Sequence, residues 1–330
     1  MKVSRFATVL FVILALTSLT VVAGLAAPSP QKEGPGDSPV VSELPIIVGS
    51  ETHHDTSLPL RDIPPLPATG GKGEVEGNEN PKIFGLQDLE QHTDPVVQDA
   101  FILDAMPSPT LTFDGIPYPG VSCNCAPPDP NSDVGPNHIV ETVNTGFQVF
   151  SKTGTSLYGP ASINTIWSGF GGACQTENDG DPIVLYDPLA DRWLISQFTA
   201  SSPYSECIAV SQTADPTGAW YRYAFQLSTS DFPDYPHLGV WPDGYYMSEN
   251  WFANASTYAG PRPYVFDRAK MLLGQTATFQ TTSGALGSSV APILPSDLDG
   301  TTAPPSGAPN VFVGTPSTGG SLPMYKFHVD

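Results

Sequence analysis

The chain has 330 residues, 33 of them acidic and 13 basic, which gives a formal net charge of −20. This excess of negative charge argues against a nucleic-acid binder, whose affinity comes from lysine and arginine at phosphates, and against docking on an anionic membrane surface. With 36 prolines, 31 glycines and only 14% charged residues, long helices and coiled coils are disfavoured. The composition therefore predicts an acidic, turn-rich, all-β protein.

Residues 1–26 have the pattern of a secretory signal peptide. Lys2 and Arg5 precede an apolar run over residues 6–22, and small side chains up to Ala26 supply a cleavage site. The alternative is a transmembrane anchor, which needs about 20 apolar residues; this run is shorter and a Pro-rich stretch follows it. We expect a secreted, extracellular or cell-surface protein with no membrane span after signal cleavage.

Four cysteines lie beyond residue 120, and an even number in an exported chain favours disulfides. We predict a bridge between Cys174 and Cys207, which leaves Cys123 and Cys125 to pair locally or stay free. A zinc site is the alternative. It is disfavoured because Cys-x-Cys has the wrong spacing and no histidine cluster accompanies it.

Residues 27–80 are rich in Pro, Gly, Ser and acidic residues, without sustained apolar periodicity, which predicts a disordered linker. Its two adjacent histidines, His53 and His54, are expected to be solvated rather than to bind a metal. Residues 81–120 are transitional, with a short helix expected over 94–104 and a short strand over 111–116.

From Val121 onward, short runs of β-branched and aromatic residues alternate with Pro, Gly, Asn and Asp turns, the signature of strands and hairpins. The strands fall into four sets, and an aspartate lies near the start of each: Asp133, Asp181, Asp234 and Asp297. Recurrence of a four-stranded unit is typical of a β-propeller, so residues 121–330 are predicted to form about four blades of one. A β-sandwich is the alternative.

The fourth set is short at the end of the sequence, and an unclosed propeller would leave edge strands unpaired. We expect either an incomplete propeller that belongs to a longer protein, or a last blade completed by residues 81–120.

Several motifs resemble those of known propeller families. Gly171, Gly172, Tyr186 and Trp193 resemble one kelch repeat, residues 215–220 (DPTGAW) partly resemble a quinoprotein turn, and residues 296–302 (SDLDGTT) resemble a sialidase Asp-box that is out of register. More broadly, residues 127–138 (PPDPNSDVGPNH), 234–236 (DYP) and 241–246 (WPDGYY) resemble a family of exported bacterial propeller-like proteins. That resemblance covers about residues 110–330 and implies a fold and a compartment, but no reaction.

Asp129, Asn131 and Asp133 place oxygen-bearing side chains at alternate positions before Gly135, and calcium prefers six to eight oxygen ligands. We therefore predict a calcium ion as a stabilising cofactor at these three residues. The alternative is a network of Asx turns in which the side chains bind their own backbone.

If the blades form, Asp133, Asp181, Asp234 and Asp297 are expected to ring a central channel; the alternative is that they bind amides of the inner strands. Six aromatic residues are candidates for a sugar-stacking platform, with packing between blades as the alternative: Trp193, Trp220, Trp241, Tyr245, Tyr246 and Trp251.

Enzyme signatures are mostly absent: the sequence has no Gly-x-Ser-x-Gly elbow, no His-Glu-x-x-His and no phosphate-binding loop. His138, His237 and His328 are candidate acid/base groups, or structural histidines. The leading hypothesis is a binding or scaffold module with an extracellular glycan or protein ligand. The alternative is a glycosidase-like or sialidase-like hydrolase, which would need two carboxylates facing one cleft.

Overall fold

Antiparallel strands follow one another along the chain in four sheets. The computed structural model describes residues 44–67, 108–117, 128–290, 292–314 and 322–329. The predicted signal peptide, the helix expected over 94–104, Cys123 and Cys125 lie outside these ranges. The strands are β1 Ile46–Ser50, β2 His53–Thr56, β3 Asn131–Val134, β4 His138–Val143, β5 Gly146–Ser151, β6 Ser156–Ser162, β7 Ile183–Asp187, β8 Arg192–Phe198, β9 Tyr204–Ser211, β10 Trp220–Ser228, β11 Phe232–Trp241, β12 Gly244–Ala253, β13 Thr257–Phe266, β14 Thr278–Thr282, β15 Ile293–Leu294, β16 Asn310–Gly314 and β17 Met324–Phe327.

Helices are few and short. Two α-helices, α1 Gly172–Thr176 and α2 Arg268–Met271, and two 3₁₀-helices, Leu60–Asp62 and Ile163–Trp167, lie between the strands. Within the described residues no helix is long and apolar enough to cross a membrane. The all-β prediction is confirmed.

Each sheet is built from strands that are consecutive in the chain. The first sheet has the order β3-β4-β5-β6 and the fourth β15-β16-β17; the second is β7-β8-β9-β10 with β2 outside β10, and the third is β11-β12-β13-β14 with β1 outside β14. The four predicted strand sets are therefore present. They contain four, five, five and three described strands instead of four each.

Side-chain alternation buries the second and third sheets on both faces. Along β8, Trp193 and Ile195 enter the core shared with the first sheet, which we call the first core, while Leu194 enters the core shared with the third sheet, the second core. Along β12, Tyr245 enters the second core and Tyr246 enters a third core shared with the fourth sheet. Because successive side chains of a strand point to opposite faces, nearly continuous apolar runs are what such a sheet requires.

Residues 44–67 form an ordered strap, so the predicted disordered linker is wrong over this part of 27–80. In this strap, β1 extends the third sheet with Val48 opposite Gln280, and β2 extends the second sheet with His54 opposite Tyr223. Further along, the Ser162 amide of β6 donates to the Leu66 carbonyl (3.1 Å). The sequence signal was weak because these two strands are short outer strands in a Pro-rich segment.

One of the two strap histidines, His54, is half-buried and differs from the expectation of solvated linker residues, whereas His53 is exposed. His54 stacks on Tyr223 with ring centroids 5.6 Å apart, and its Nδ1 lies 3.0 Å from Oε1 of Glu51. The His53 ring lies 4.5 Å from that of Phe170. The His54 ring therefore packs against the second sheet, while His53 contacts a residue of the connection between the first and second sheets.

A buried ion pair attaches the strap to the second sheet. Arg222 of β10 is 3% exposed and binds both carboxylate oxygens of Asp55, through Nε at 2.7 Å and Nη2 at 2.6 Å. Its remaining Nη1 donates to the carbonyls of Ile166 and Ser168, both at 2.9 Å. One guanidinium thus joins the strap, the second sheet and the connection from the first sheet.

Residues 111–116 form no strand; they lie against the first sheet. Phe113 packs on Phe150 of β5 with ring centroids 5.3 Å apart, and the Ile116 amide donates to Oε2 of Glu141 (2.9 Å). The expected strand is wrong because this segment contacts side chains on the face of the first sheet. It forms no backbone ladder with a neighbouring strand. Nor does the described part of 81–120 add a strand to the fourth sheet.

The predicted disulfide is present. Cys174 of α1 and Cys207 of β9 are bonded, with their Cα atoms 5.8 Å apart. The bridge fastens the connection between the first and second sheets to the buried face of the second sheet.

Asp55→Ala should lower the free energy of unfolding by about 2–4 kcal/mol, because it leaves the buried Arg222 guanidinium without its carboxylate. Urea unfolding of the full chain with the disulfide intact measures the change. The matched control is Arg61→Ala, which removes an exposed ion pair to Asp215 (3.5 Å) and should cost less than about 1 kcal/mol. Equal losses in both variants would contradict the role given to Asp55.

Candidate functional site

Acidic and amide side chains join the first strands of neighbouring sheets. Asp133 of β3 accepts a hydrogen bond through Oδ2 from the Tyr186 amide of β7 (2.6 Å), and Asn131 accepts one through Oδ1 from the Val184 amide (2.7 Å). Asp297, which follows β15, accepts one from the Val240 amide of β11 (2.6 Å). These side chains bind amides of the inner strands, the alternative that the sequence left open.

The predicted ring of four aspartates divides into two pairs. Asp133 and Asp297 contact residues near the ends of β7 and β11, whereas Asp181 and Asp234 lie near the beginnings of those same strands. The amide of buried Asp181 donates to Oδ1 of Asn144 (2.6 Å). A single ring is therefore not formed, because neighbouring aspartates in the sequence stand at opposite ends of the first strands.

Asp133 and Asp297 are within electrostatic range of each other. Part of the Asp297 side chain is exposed, but burial of the rest raises its pKa, and the Asp299 and Asp133 carboxylates raise it further. The amides of Val240 and Leu298 act in the opposite direction. These two members of the predicted ring therefore influence each other.

The three predicted calcium ligands make protein contacts instead of facing a common point. Asn131 and Asp133 accept the amide hydrogen bonds above, and Oδ2 of Asp129 accepts one from Nδ2 of Asn144 (2.8 Å). Across the described ranges, no group of three or more His, Cys, Asp or Glu side chains is arranged to hold a metal ion. Calcium binding stays a prediction.

The candidate aromatic platform is packed inside the protein. Five of its six members lie in the cores and are at most 6% exposed: Trp193, Trp220, Tyr245, Tyr246 and Trp251. Half-buried Trp241 packs against the third core and donates its Nε1 hydrogen to the Ala308 carbonyl (2.9 Å). The packing alternative is confirmed for these residues, and a sugar-stacking platform is wrong.

The candidate histidines occupy three separate places. His138 Nε2 lies 3.8 Å from Asp215, and His328 Nδ1 lies 3.7 Å from Asp243. His237 meets the ring of Tyr235 edge-on at 4.6 Å, and burial lowers its pKa to about 4, so it is neutral near pH 7. The three do not form one catalytic group.

Sequence reasoning missed a pair of buried acids, Glu206 of β9 and Glu249 of β12, which we call the buried acid pair. They are 0% and 1% exposed, and none of their four carboxylate oxygens makes a hydrogen bond of standard geometry. Burial raises the pKa of Glu206 to about 8. Burial and then Glu206 raise the pKa of Glu249, against Arg262, which lowers it. The signal available in the sequence was a glutamate on the inward-facing side of each strand.

A second acidic group at the same interface is fully paired. Asp187, at the end of β7, accepts hydrogen bonds from Nε of Arg268 (2.6 Å), Nη2 of Arg268 (2.9 Å) and the Tyr245 hydroxyl (3.0 Å). The interface between the second and third sheets thus has a satisfied acid at one place and unsatisfied acids at another.

The architecture is that of an all-β protein of stacked antiparallel sheets. No protein-family model and no curated protein matches the chain. Among solved structures it is similar to a GH43 endo-arabinanase from Bacillus licheniformis, at 13% sequence identity and a TM-score of 0.32, over 57% of this chain and 71% of that one. A likeness at this level carries no conclusion about activity.

Asp133→Asn should lower the free energy of unfolding by about 1–3 kcal/mol, because an amide group cannot accept from both the Val134 and Tyr186 amides. Chemical denaturation measures the change, and the exposed Asp299→Asn is the control. Repeating it with calcium and with excess EDTA tests the predicted calcium site. A calcium-dependent gain that Asp133→Asn abolishes would support that site, and no gain would remove it.

His237 should make stability depend on pH. Its pKa is about 4 when folded and 6.5 when free, so the unfolded chain binds the proton first and stability falls as the pH drops from 6.5 to 4. His237→Gln should flatten this part of the stability profile, measured by urea unfolding. An unchanged profile would contradict the neutral, buried state of His237.

Proposed function

We propose that the protein is an exported, β-propeller-like module that binds an extracellular glycan or protein ligand, or acts as a scaffold, and is not an enzyme. The observation that carries this proposal is the hydrogen bonding of the Asp133 and Asp297 carboxylates. Their oxygens accept hydrogen bonds from inner-strand amides, so these acids are used to connect sheets.

The propeller assignment rests on the order and packing of the sheets. Consecutive strands form each sheet, and the second and third sheets are covered on both faces by their neighbours in the chain. The contacts of Asn131 to Val184 and of Asp133 to Tyr186 set β3 alongside β7 in parallel, as first strands of adjacent blades would be.

Export is supported by two independent features. The basic and apolar residues of 1–26 have the order of a signal peptide. The Cys174–Cys207 disulfide is of the kind that persists outside the reducing cytosol. The proposal therefore places the module outside the cell or on its surface.

A second candidate function is hydrolysis of extracellular glycans. It is favoured by the electrostatic interaction between Asp133 and Asp297 and by the raised pKa of Asp297. A glycosidase needs one carboxyl group that keeps its proton as general acid. In that reading Asp297 would be the acid and Asp133 the second carboxylate.

Hydrolysis assays separate the two functions. We expect no release of reducing sugar from polysaccharides and no chromophore from glycoside or sialoside substrates when the full chain with its disulfide intact is tested. Turnover that Asp297→Asn abolishes and Asp299→Asn retains would overturn the binding proposal in favour of the hydrolase.

Binding is tested on the same preparation. Immobilised glycans and extracellular-matrix proteins should retain the chain in a saturable manner, without chemical change to the ligand. The Cys174→Ala/Cys207→Ala variant is a control for dependence on the folded state. Retention that is equal for the chemically unfolded chain would contradict specific binding.

A further inference from the structure

The buried acid pair faces one core from opposite sides. Glu206 lies on β9 with the same alternation as Ile208 and Val210, which belong to the second core. Glu249 lies on β12 with the alternation of Tyr245 and Met247, which belong to that core as well. The two carboxyl groups therefore enter the space between the second and third sheets, one from each sheet.

Among the described residues, the guanidinium that acts on Glu249 is that of Arg262, and its donors bind other groups. Arg262 is directly opposite Glu249 on β13, but its Nε and Nη2 donate to the Thr282 carbonyl (2.9 and 2.6 Å) and Nε also reaches Oγ1 of Thr281 (3.1 Å). The guanidinium stacks on Trp251 at 4.3 Å. It forms no ion pair with Glu249 within the described contacts.

The other groups around the pair do not supply a compensating charge. Asp234 of β11 adds a further negative charge near Glu249. The Tyr264 hydroxyl, the Ser196 hydroxyl and the Trp251 indole nitrogen are buried and make no hydrogen bond of standard geometry, although Ser196 and Trp251 stabilise the charged form of Glu206 and Glu249 respectively. Two negative charges in this space would thus face one positive charge, whose donors are already bound to Thr281 and Thr282.

We infer that Glu206 and Glu249 are both protonated at neutral pH and form a pH-sensitive contact between the second and third sheets. Buried carboxylates that lack partners take up a proton instead of remaining charged, and two carboxyls in one site cannot both ionise easily. With both protons in place the sheets pack around an uncharged pair. Loss of these protons puts like charges on facing sheets and weakens that contact.

The direction of the pH effect follows from linkage. Glutamate has an ordinary pKa of 4.5 and Glu206 has one of about 8 when folded, so between these values the native chain keeps a proton that the unfolded chain releases. Stability therefore falls as pH rises through this interval, by up to about tenfold in the unfolding constant per pH unit for one proton.

Two other groups titrate in part of this interval and decide the design of the experiment. His237 is half protonated at pH 6.5 in the unfolded chain, so it adds an opposite slope up to about pH 7.5. Glu177 has a pKa of about 7, raised by burial and by Asp179, so it contributes a slope of its own. Measurements are therefore made in a Glu177→Gln/His237→Gln background between pH 6.5 and 8.

The test is urea unfolding of the full chain, disulfide intact, at half-unit steps of pH in that background. We expect the unfolding constant to rise with pH, and the Glu206→Gln/Glu249→Gln double variant to flatten the rise, because glutamine resembles the protonated acid. The matched control is Glu141→Gln, a half-buried acid that accepts from the Ile116 amide and lies outside the second core; it should leave the slope in place.

Infrared spectroscopy gives a readout that does not depend on unfolding. At pH 7 the folded chain in the same background should show the C=O stretching band of a protonated carboxylic acid, and the double variant should lack it. A slope that the double variant retains, or absence of this band, would overturn the inference. Calcium that raises stability at pH 7 in the parent but not in Glu249→Gln would also overturn it, by showing that a cation and not a proton neutralises the pair.

Discussion

Burial of both faces of the second and third sheets is the constraint on which the rest of the structure depends. Each strand in these sheets sends alternate side chains into two different cores, so a polar group there must find its partner inside the protein. Asp187 meets this requirement through Arg268 and Tyr245, while Asp133 and Asp297, which lie outside these two sheets, accept from amides at the ends of their first strands. Asp133 and Asp297, which the sequence predicts as ligand-site residues, therefore connect neighbouring sheets.

The interface between the second and third sheets breaks this rule at one place. Both carboxylate oxygens of Asp187 accept hydrogen bonds, whereas those of Glu206 and Glu249 make none of standard geometry, although all three residues are fully buried at the same interface. The paired acid holds the sheets together at any pH at which it is charged. The unpaired acids hold them only while they are protonated, so the pH response of this interface is concentrated in two residues.

Much of the fold was predictable from local patterns, and much of the site was not. Strands such as Arg192–Phe198 and Asn310–Gly314 were recognisable because β-branched and aromatic residues are bounded by turns, and the disulfide followed from cysteine number and compartment. The strap strands were not predicted because an outer strand is stabilised mainly by backbone hydrogen bonds to its neighbour and does not require an apolar pattern. The position of Glu206 opposite Glu249 depends on how two sheets stack, which neither strand records alone. The division of the aspartate ring has the same origin, since spacing along the chain does not say at which end of a strand a side chain will stand.

The strap limits how far the pH-sensitive interface can open. Its strands β1 and β2 belong to the third and second sheets, and only Glu51 and Thr52 separate them. Both linking residues are fastened, Glu51 to the backbone of Ala277 and Thr52 to the carbonyl of Ala224. Two residues span at most about 7 Å when extended, so the outer edges of the sheets stay together. Repulsion between Glu206 and Glu249 is therefore relieved by local movement around the acid pair, while the Asp187–Arg268 contact and the strap keep the two sheets joined.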